Sequence, residues 1–217
     1  MAYSINQYKQ NIKQRSDVTG MLTHLTKGSE LYGNPTDILV KILNDRLLIG
    51  SSKGYIVGGN KVVCFQDIPL YSVAQNAINH IEEYEKGQTT KLRYYPCGLA
   101  FSKVNLAQLV DTFDAPIPNT GARPVIYEKT NIAKEFLPTS EAWRIVNFDM
   151  TQAYSGNSII DWTHEREWRI LGDLTFRYSD VTILLRNSEQ YREFISKISP
   201  EILRELSGII CLEYLMY

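Results

Sequence analysis

The sequence predicts an α+β fold, on three observations. About six to eight short apolar runs have strand character, a few helical stretches separate them, and the two do not alternate as strict βαβ units. No internal repeat, low-complexity tract or linker divides the chain, so residues 1–217 are expected to form a single domain. A chain of 217 residues can bury a sizeable core, removing roughly 70% of its unfolded surface from water.

Along the chain, Ile5 to Arg15 reads as a short polar helix and Met21 to Thr26 as a first strand. Period two sends Leu22, His24 and Thr26 to one side of that strand, and Met21, Thr23 and Leu25 to the other. Helical spacing returns from Asp37 to Leu43, with Thr36 as N-cap. Leu47 to Ser52 is a short strand or extended turn, and Gly54 to Gly59 a glycine-punctuated loop around Tyr55. Lys61 to Phe65 is a strand broken before Pro69. Val73 to Lys86 is a helix that stops at Gly87. Tyr94 to Phe101 resumes strand character, Asn105 to Phe113 is a short helix, and Asp114 to Gly121 is a loop. Pro124 to Tyr127 is a strand. From Glu128 to Tyr154 the pattern is ambiguous, with helical character at 133–137 and 141–147. Val181 to Leu185 is a strand, Glu189 to Ile198 and Glu201 to Leu206 are helices, and Ile209 to Leu212 is a closing strand.

Composition excludes several classes. A net charge of −1 sets up no global field for nucleic acid or anionic membrane, although a local basic groove stays open. No apolar run approaches the roughly 18 residues of a membrane span. Met1 to Ser16 has no apolar core, so no secretory leader is expected. Cys64, Cys97 and Cys211 are odd in number and widely spaced, which predicts free thiols in a reducing cytoplasm. His24, His80 and His164 are equally scattered, so no metal site is expected. No GxGxxG, GxxxxGK[ST] or GxSxG motif is present, and the chemistries they support lose their usual signal. The one excess is fourteen tyrosines, a residue that fits half-buried strands and also stacks on nucleobases and nicotinamide.

The segment Ile160 to Ile170 carries the most chemistry. Read as a strand, it sends Trp168 and Ile170 to one face and Glu165, Glu167 and Arg169 to the other. Two carboxylates and a guanidinium in one row form a wall against which positive charge can develop in a reaction. A solvated charged face, or a helical Glu165–Arg169 pair, is the structural alternative.

Five motifs in order, Thr23-His24-Leu25-Thr26, Val63 to Leu70, Tyr95 to Lys103, Arg123 to Tyr127 and Trp162 to Arg169, resemble the AbiGi-type abortive-infection proteins of bacteria. Those in turn resemble the ADP-ribosyltransferase superfamily, including its DarT-like nucleic-acid modifiers. The resemblance spans residues 20 to 172. It implies a split β-sheet with flanking helices that binds NAD+ as a substrate and needs no metal. His24 would hold the adenosine-side ribose and the nicotinamide amide. Tyr55, with Phe65 next, would stack on the nicotinamide. Glu165 or Glu167 would hold the nicotinamide ribose and stabilise the oxocarbenium ion, with the other orienting the acceptor. A guanidinium fork fits phosphate oxygens, which makes Arg123 or Arg169 the candidate for the pyrophosphate.

A carboxylate preorganised where glycosidic C–N cleavage develops positive charge lowers the barrier, and a second can take the acceptor's proton. The resulting expectation is a cytoplasmic NAD+-dependent mono-ADP-ribosyltransferase toxin of an anti-phage system. It would modify single-stranded RNA, block translation, and be held by an antitoxin partner and a chaperone. The alternative is an antitoxin or regulatory binding module with the same fold and no transferase activity. A third reading is a hydrolase acting on a glycosidic bond.

Overall fold

The computed structural model describes residues 2–28, 33–108, 121–151, 153 and 159–216. Its elements run α1 (Ile5–Lys13), β1 (Met21–Leu25), α2 (Pro35–Asp45), β2 (Leu47–Leu48), β3 (Val62–Gln66), α3 (Leu70–Glu85), β4 (Gly98–Ser102) and α4 (Lys103–Ala107). They continue β5 (Arg123–Pro124), β6 (Ile126–Glu128), α5 (Thr130–Phe136), β7 (Ile145–Asn147), β8 (Glu167–Leu171), β9 (Leu174–Thr175), β10 (Val181–Leu185), α6 (Ser188–Lys197), α7 (Pro200–Glu205) and β11 (Gly208–Cys211). Short 3-10 segments lie at Thr139–Arg144, Thr163–Glu165, Tyr178–Asp180 and Leu212–Leu215. This is the mixed α+β class, with strands pairing both parallel and antiparallel. The expected loop at 114–121 (Gly121 apart), Tyr154 and Tyr217 lie outside the described residues.

The chain gathers into two compact units. The first comprises Met1–Leu47, Ile68–Lys103 and Thr175–Tyr217; the second comprises Leu48–Asp67 and Val104–Leu174.

In the first unit the strands lie in the order β11-β10-β4-β1. β4 is central, antiparallel to β1 (Met21 opposite Ser102) and to β10 (Val181 opposite Phe101). β11 runs parallel to β10, and the crossover that parallel pairing demands is supplied by α6 and α7. Helical spacing puts Ala74 and Ile78 of α3 on one stripe, where they meet Ala100, Leu184 and Leu212.

The N-cap of α2 is Asn34, one residue before Pro35, and not Thr36. The Asn34 side chain accepts the Asp37 N–H, and the Asp37 carboxylate accepts the Asn34 N–H. Proline fits the first helical position because its missing N–H has no partner to lose there. Thr36 is thereby drawn inside, where it is buried and donates to Glu193 of α6 at 3.0 Å.

In the second unit β8 lies between β3 and β5, antiparallel to both. Gln66 stands opposite Glu167, and Cys64 and Arg123 both stand opposite Arg169. The expected strand at 124–127 is two strands in two sheets. Val125 donates to the Glu167 carbonyl at 3.0 Å, and the chain then turns to pair β6 in parallel with β7. Beneath this pair Ala133, Ala142 and Ile145 form a small core against Val57 and Leu137. The ambiguous stretch therefore resolves as α5, a 3-10 segment and β7.

Gly98 sets the register of the first unit. A Cβ there would stand 2.1 Å from the His24 carbonyl oxygen, backbone that cannot yield without unpairing β1 and β4. Gly98→Ala is expected to lose about 1–3 kcal/mol or more of stability, read as a lowered midpoint in urea denaturation.

Candidate functional site

The second unit holds the residues singled out in the segment 160–170, and β8 divides them. Trp168 and Ile170 face the same side as Phe65 and Val63, their partners on β3. Glu167 and Arg169 face the other side with Gln66 and Cys64. The period-two alternation thus holds from Glu167 onward. It does not include Glu165, which the sequence places in the same row. Glu165 ends the 3-10 turn Thr163–Glu165, and Arg166 then adopts a left-handed backbone at φ 46°. The turn is built locally: Asp161 accepts the Thr163 N–H at 2.9 Å and its hydroxyl at 2.7 Å, which are the bonds of an Asx turn.

Arg169 is 2% exposed. Its Nε and Nη2 donate to the two Glu167 oxygens at 2.8 and 3.2 Å. Its Nη1 donates to the carbonyls of Trp143 and Ile145. The expected contact of Arg169 with a pyrophosphate is corrected on this geometry, because its donors are already committed inside the unit. Glu167 is committed with it, as the counter-charge of a buried cation. Arg123 donates to Glu141 at 2.7 Å, and Arg144 donates to the same carboxylate at 2.9 Å. Burial pushes the Glu141 carboxyl up, but the two guanidiniums outweigh it and hold the group below its ordinary range. Arg123 stays about a third exposed, which leaves part of its fork at the surface.

Glu165 is the carboxylate set apart. One oxygen accepts from the Gln66 Nε2, and the other lies 3.5 Å from the His164 Nε2. Gln66 is itself buried, and its Oε1 has no hydrogen-bond partner among the described residues. A buried acceptor left unmet costs about 1–3 kcal/mol, and native structures keep few of them. Tyr127 completes the cluster: its hydroxyl accepts the Glu167 N–H at 2.8 Å. Burial and the nearby Glu167 and Glu165 charges outweigh that bond and push the phenol up to about 12. Burial and the Glu167 carboxylate likewise push the Cys64 thiol up, so it stays protonated and unreactive.

Beside Glu165 runs a row of rings. Tyr55, 76% exposed, stands 6.2 Å from Trp162 at an interplanar angle of 34°. Trp162 stands 5.9 Å from His164 at 38°. Phe65, the second stacking candidate, is only 1% exposed and packs in the core; that expectation is corrected, because an aromatic face enclosed by protein offers nothing to a ligand. His24 belongs to the first unit, half-buried on β1 opposite Leu99.

Gln66, Tyr127, Trp162 and His164 were not among the expected site residues. Gln66 carried a faint signal, as an amide closing the apolar run Val62-Val63-Cys64-Phe65. Tyr127 was one tyrosine among many. Among the described residues no three His, Cys, Asp or Glu side chains gather into a metal-binding group, and no helix is long and apolar enough to cross a membrane. Comparison of the chain with protein-family models, with curated proteins and with solved structures finds no match.

Two outcomes are expected. Glu167→Ala strands the buried Arg169 charge and should cost about 3–5 kcal/mol, read from the urea midpoint. Tyr127 has a folded pKa above its ordinary value of 10, so the unfolded chain releases this proton first as pH rises. Stability therefore falls between about pH 10 and pH 12, and in Tyr127→Phe a pH series of unfolding curves should fall less steeply across that window.

Proposed function

We propose that the protein is an NAD+-dependent mono-ADP-ribosyltransferase with the split-sheet architecture of that superfamily, acting on RNA as a toxin of an anti-phage system. The observation that carries the reading is Glu165: a carboxylate lifted off the end of β8, braced by Gln66 and bordered by exposed rings. In this reading the bond from the ribose C1′ to nicotinamide breaks with its electron pair leaving on nicotinamide. Glu165 stabilises the positive charge that develops on the ribose. The acceptor nitrogen or oxygen then bonds to C1′ and releases its proton to water. Glu167 has the other task, holding Arg169 and with it the strand that presents Glu165. Arg123, in the same unit and partly exposed, is the candidate for the pyrophosphate.

The family resemblance of the five ordered motifs supports the same chemistry. An antitoxin and a chaperone would be the partners of such a toxin.

Incubation with labelled NAD+ and total bacterial RNA or protein tests this reading. Wild type is expected to label RNA, and Glu165→Gln to lose about 10²–10³ in rate while keeping the wild-type urea midpoint. Label transferred to protein would keep the enzyme and change its acceptor. Neither transfer nor nicotinamide release, from folded protein freed of partners, would overturn the proposal in favour of an antitoxin or binding module.

A further inference from the structure

Tyr55, Trp162 and His164 form a row in which each ring borders the next. The row ends at the Glu165 carboxylate, 3.5 Å from the His164 Nε2. Its outer members are open to solvent, Tyr55 at 76% and the His164 side chain at 60%. Burying those faces in a core would be the ordinary use of such residues, and here the fold leaves them out. The local backbone favours that display. Gly54 and Gly59 flank Tyr55 with positive φ, and at neither would a Cβ meet another atom within 4 Å.

Charge around the row has one sign on the loop side. The segment from Ser51 to Lys61 contains two lysines and no acidic residue. Lys53 and Lys61 are both exposed, and neither pairs with a carboxylate among the described residues. On the other side Asp161 and Glu165 are carboxylates held in place by hydrogen bonds from Thr163 and Gln66, so the positive charge of the surface lies on the loop side. Exposed stacking faces, and lysines on the loop that carries Tyr55, are the two ingredients of single-strand recognition, where bases stack on rings and phosphates meet lysine. A duplex offers no such base faces along its length, since its bases are already stacked on one another.

We infer that Tyr55, Trp162 and His164, with Lys53 and Lys61, form a platform that stacks the unpaired bases of a single-stranded nucleic acid and leads them to Glu165. Tyr55 then serves the acceptor strand and not the nicotinamide ring. This inference rests on the transferase reading for its purpose, but the binding it asserts needs no NAD+.

The test is fluorescence anisotropy with a labelled single-stranded RNA ten-mer and with the same sequence as a duplex, in the absence of NAD+. The single strand is expected to bind more tightly. Tyr55→Ala and His164→Ala should each weaken binding about tenfold, while Tyr55→Trp should retain it. Lys53→Gln should reduce the slope of log affinity against log salt by about 0.7. Tyr71→Ala, an exposed tyrosine on α3 in the first unit, should change nothing. Equal binding of strand and duplex, or full affinity in Tyr55→Ala with unchanged unfolding midpoints, overturns the platform. Absence of oligonucleotide binding beside intact transfer from labelled NAD+ also overturns it and spares the transferase. Ring-dependent binding without any transfer upholds the platform and overturns the transferase.

Discussion

The second unit depends on one buried charge. Arg169 is almost fully enclosed, and an unpaired guanidinium there would cost far more than the fold can supply. Three constraints follow from neutralising it. Glu167 must lie two residues back on the same face of β8, which requires the strand to hold its alternation. The carbonyls of Trp143 and Ile145 must point inward, which fixes the start of β7. Cys64 and Arg123 must flank Arg169 on either side, which fixes the register of β3 and β5. Once β3 is in register, Gln66 stands opposite Glu167 and within reach of Glu165. The brace on the candidate reacting carboxylate is thus a consequence of the same buried ion pair.

That division of labour explains why two glutamates so close in sequence behave differently. Strand geometry would have put Glu165 in the row with Glu167 and Arg169, where a second carboxylate would compete for one cation. The 3-10 turn and the left-handed Arg166 remove it from the row. Glu165 instead accepts from the neutral Gln66 amide, which orients the group. An oriented carboxylate at a partly exposed edge is what stabilisation of a developing cation requires.

The first unit follows a different logic. Its strands are held by close backbone approach at Gly98 and by an apolar stripe of α3, and its polar contacts are concentrated where α2 meets α6. There Glu193 accepts from Asn34 and Thr36, and Lys197 bridges Asp37 and Glu193. Hydrogen bonds from Lys197 hold Asp37 and Glu193 below the ordinary carboxylate range. Such a polar clasp ties two helix ends together and gives them a fixed partner, a function of orientation more than of net stability.

Periodicity and punctuation alone determined the class of the fold, the positions of β1, β3, β10 and α3, and the opposite faces of Trp168 and Arg169. These are local properties: side chains alternate along any strand, and a glycine such as Gly87 ends a helix wherever the fold lies. What the sequence could not reach is everything that depends on a neighbour far along the chain. Thr36 and Asn34 both have capping chemistry, and only the contact with Glu193 decides which is drawn inside. Residues 124–127 have uniform strand character, and only the Glu167 carbonyl splits them between two sheets. Arg123 and Arg169 carry the same guanidinium, yet enclosure commits one to Glu167 and leaves the other partly exposed. Gln66 acquires its role solely because antiparallel pairing brings it to Glu165, ninety-nine residues away. Tertiary structure decided the site because burial and long-range pairing, not residue type, set which polar groups are spent on the fold and which stay available for chemistry.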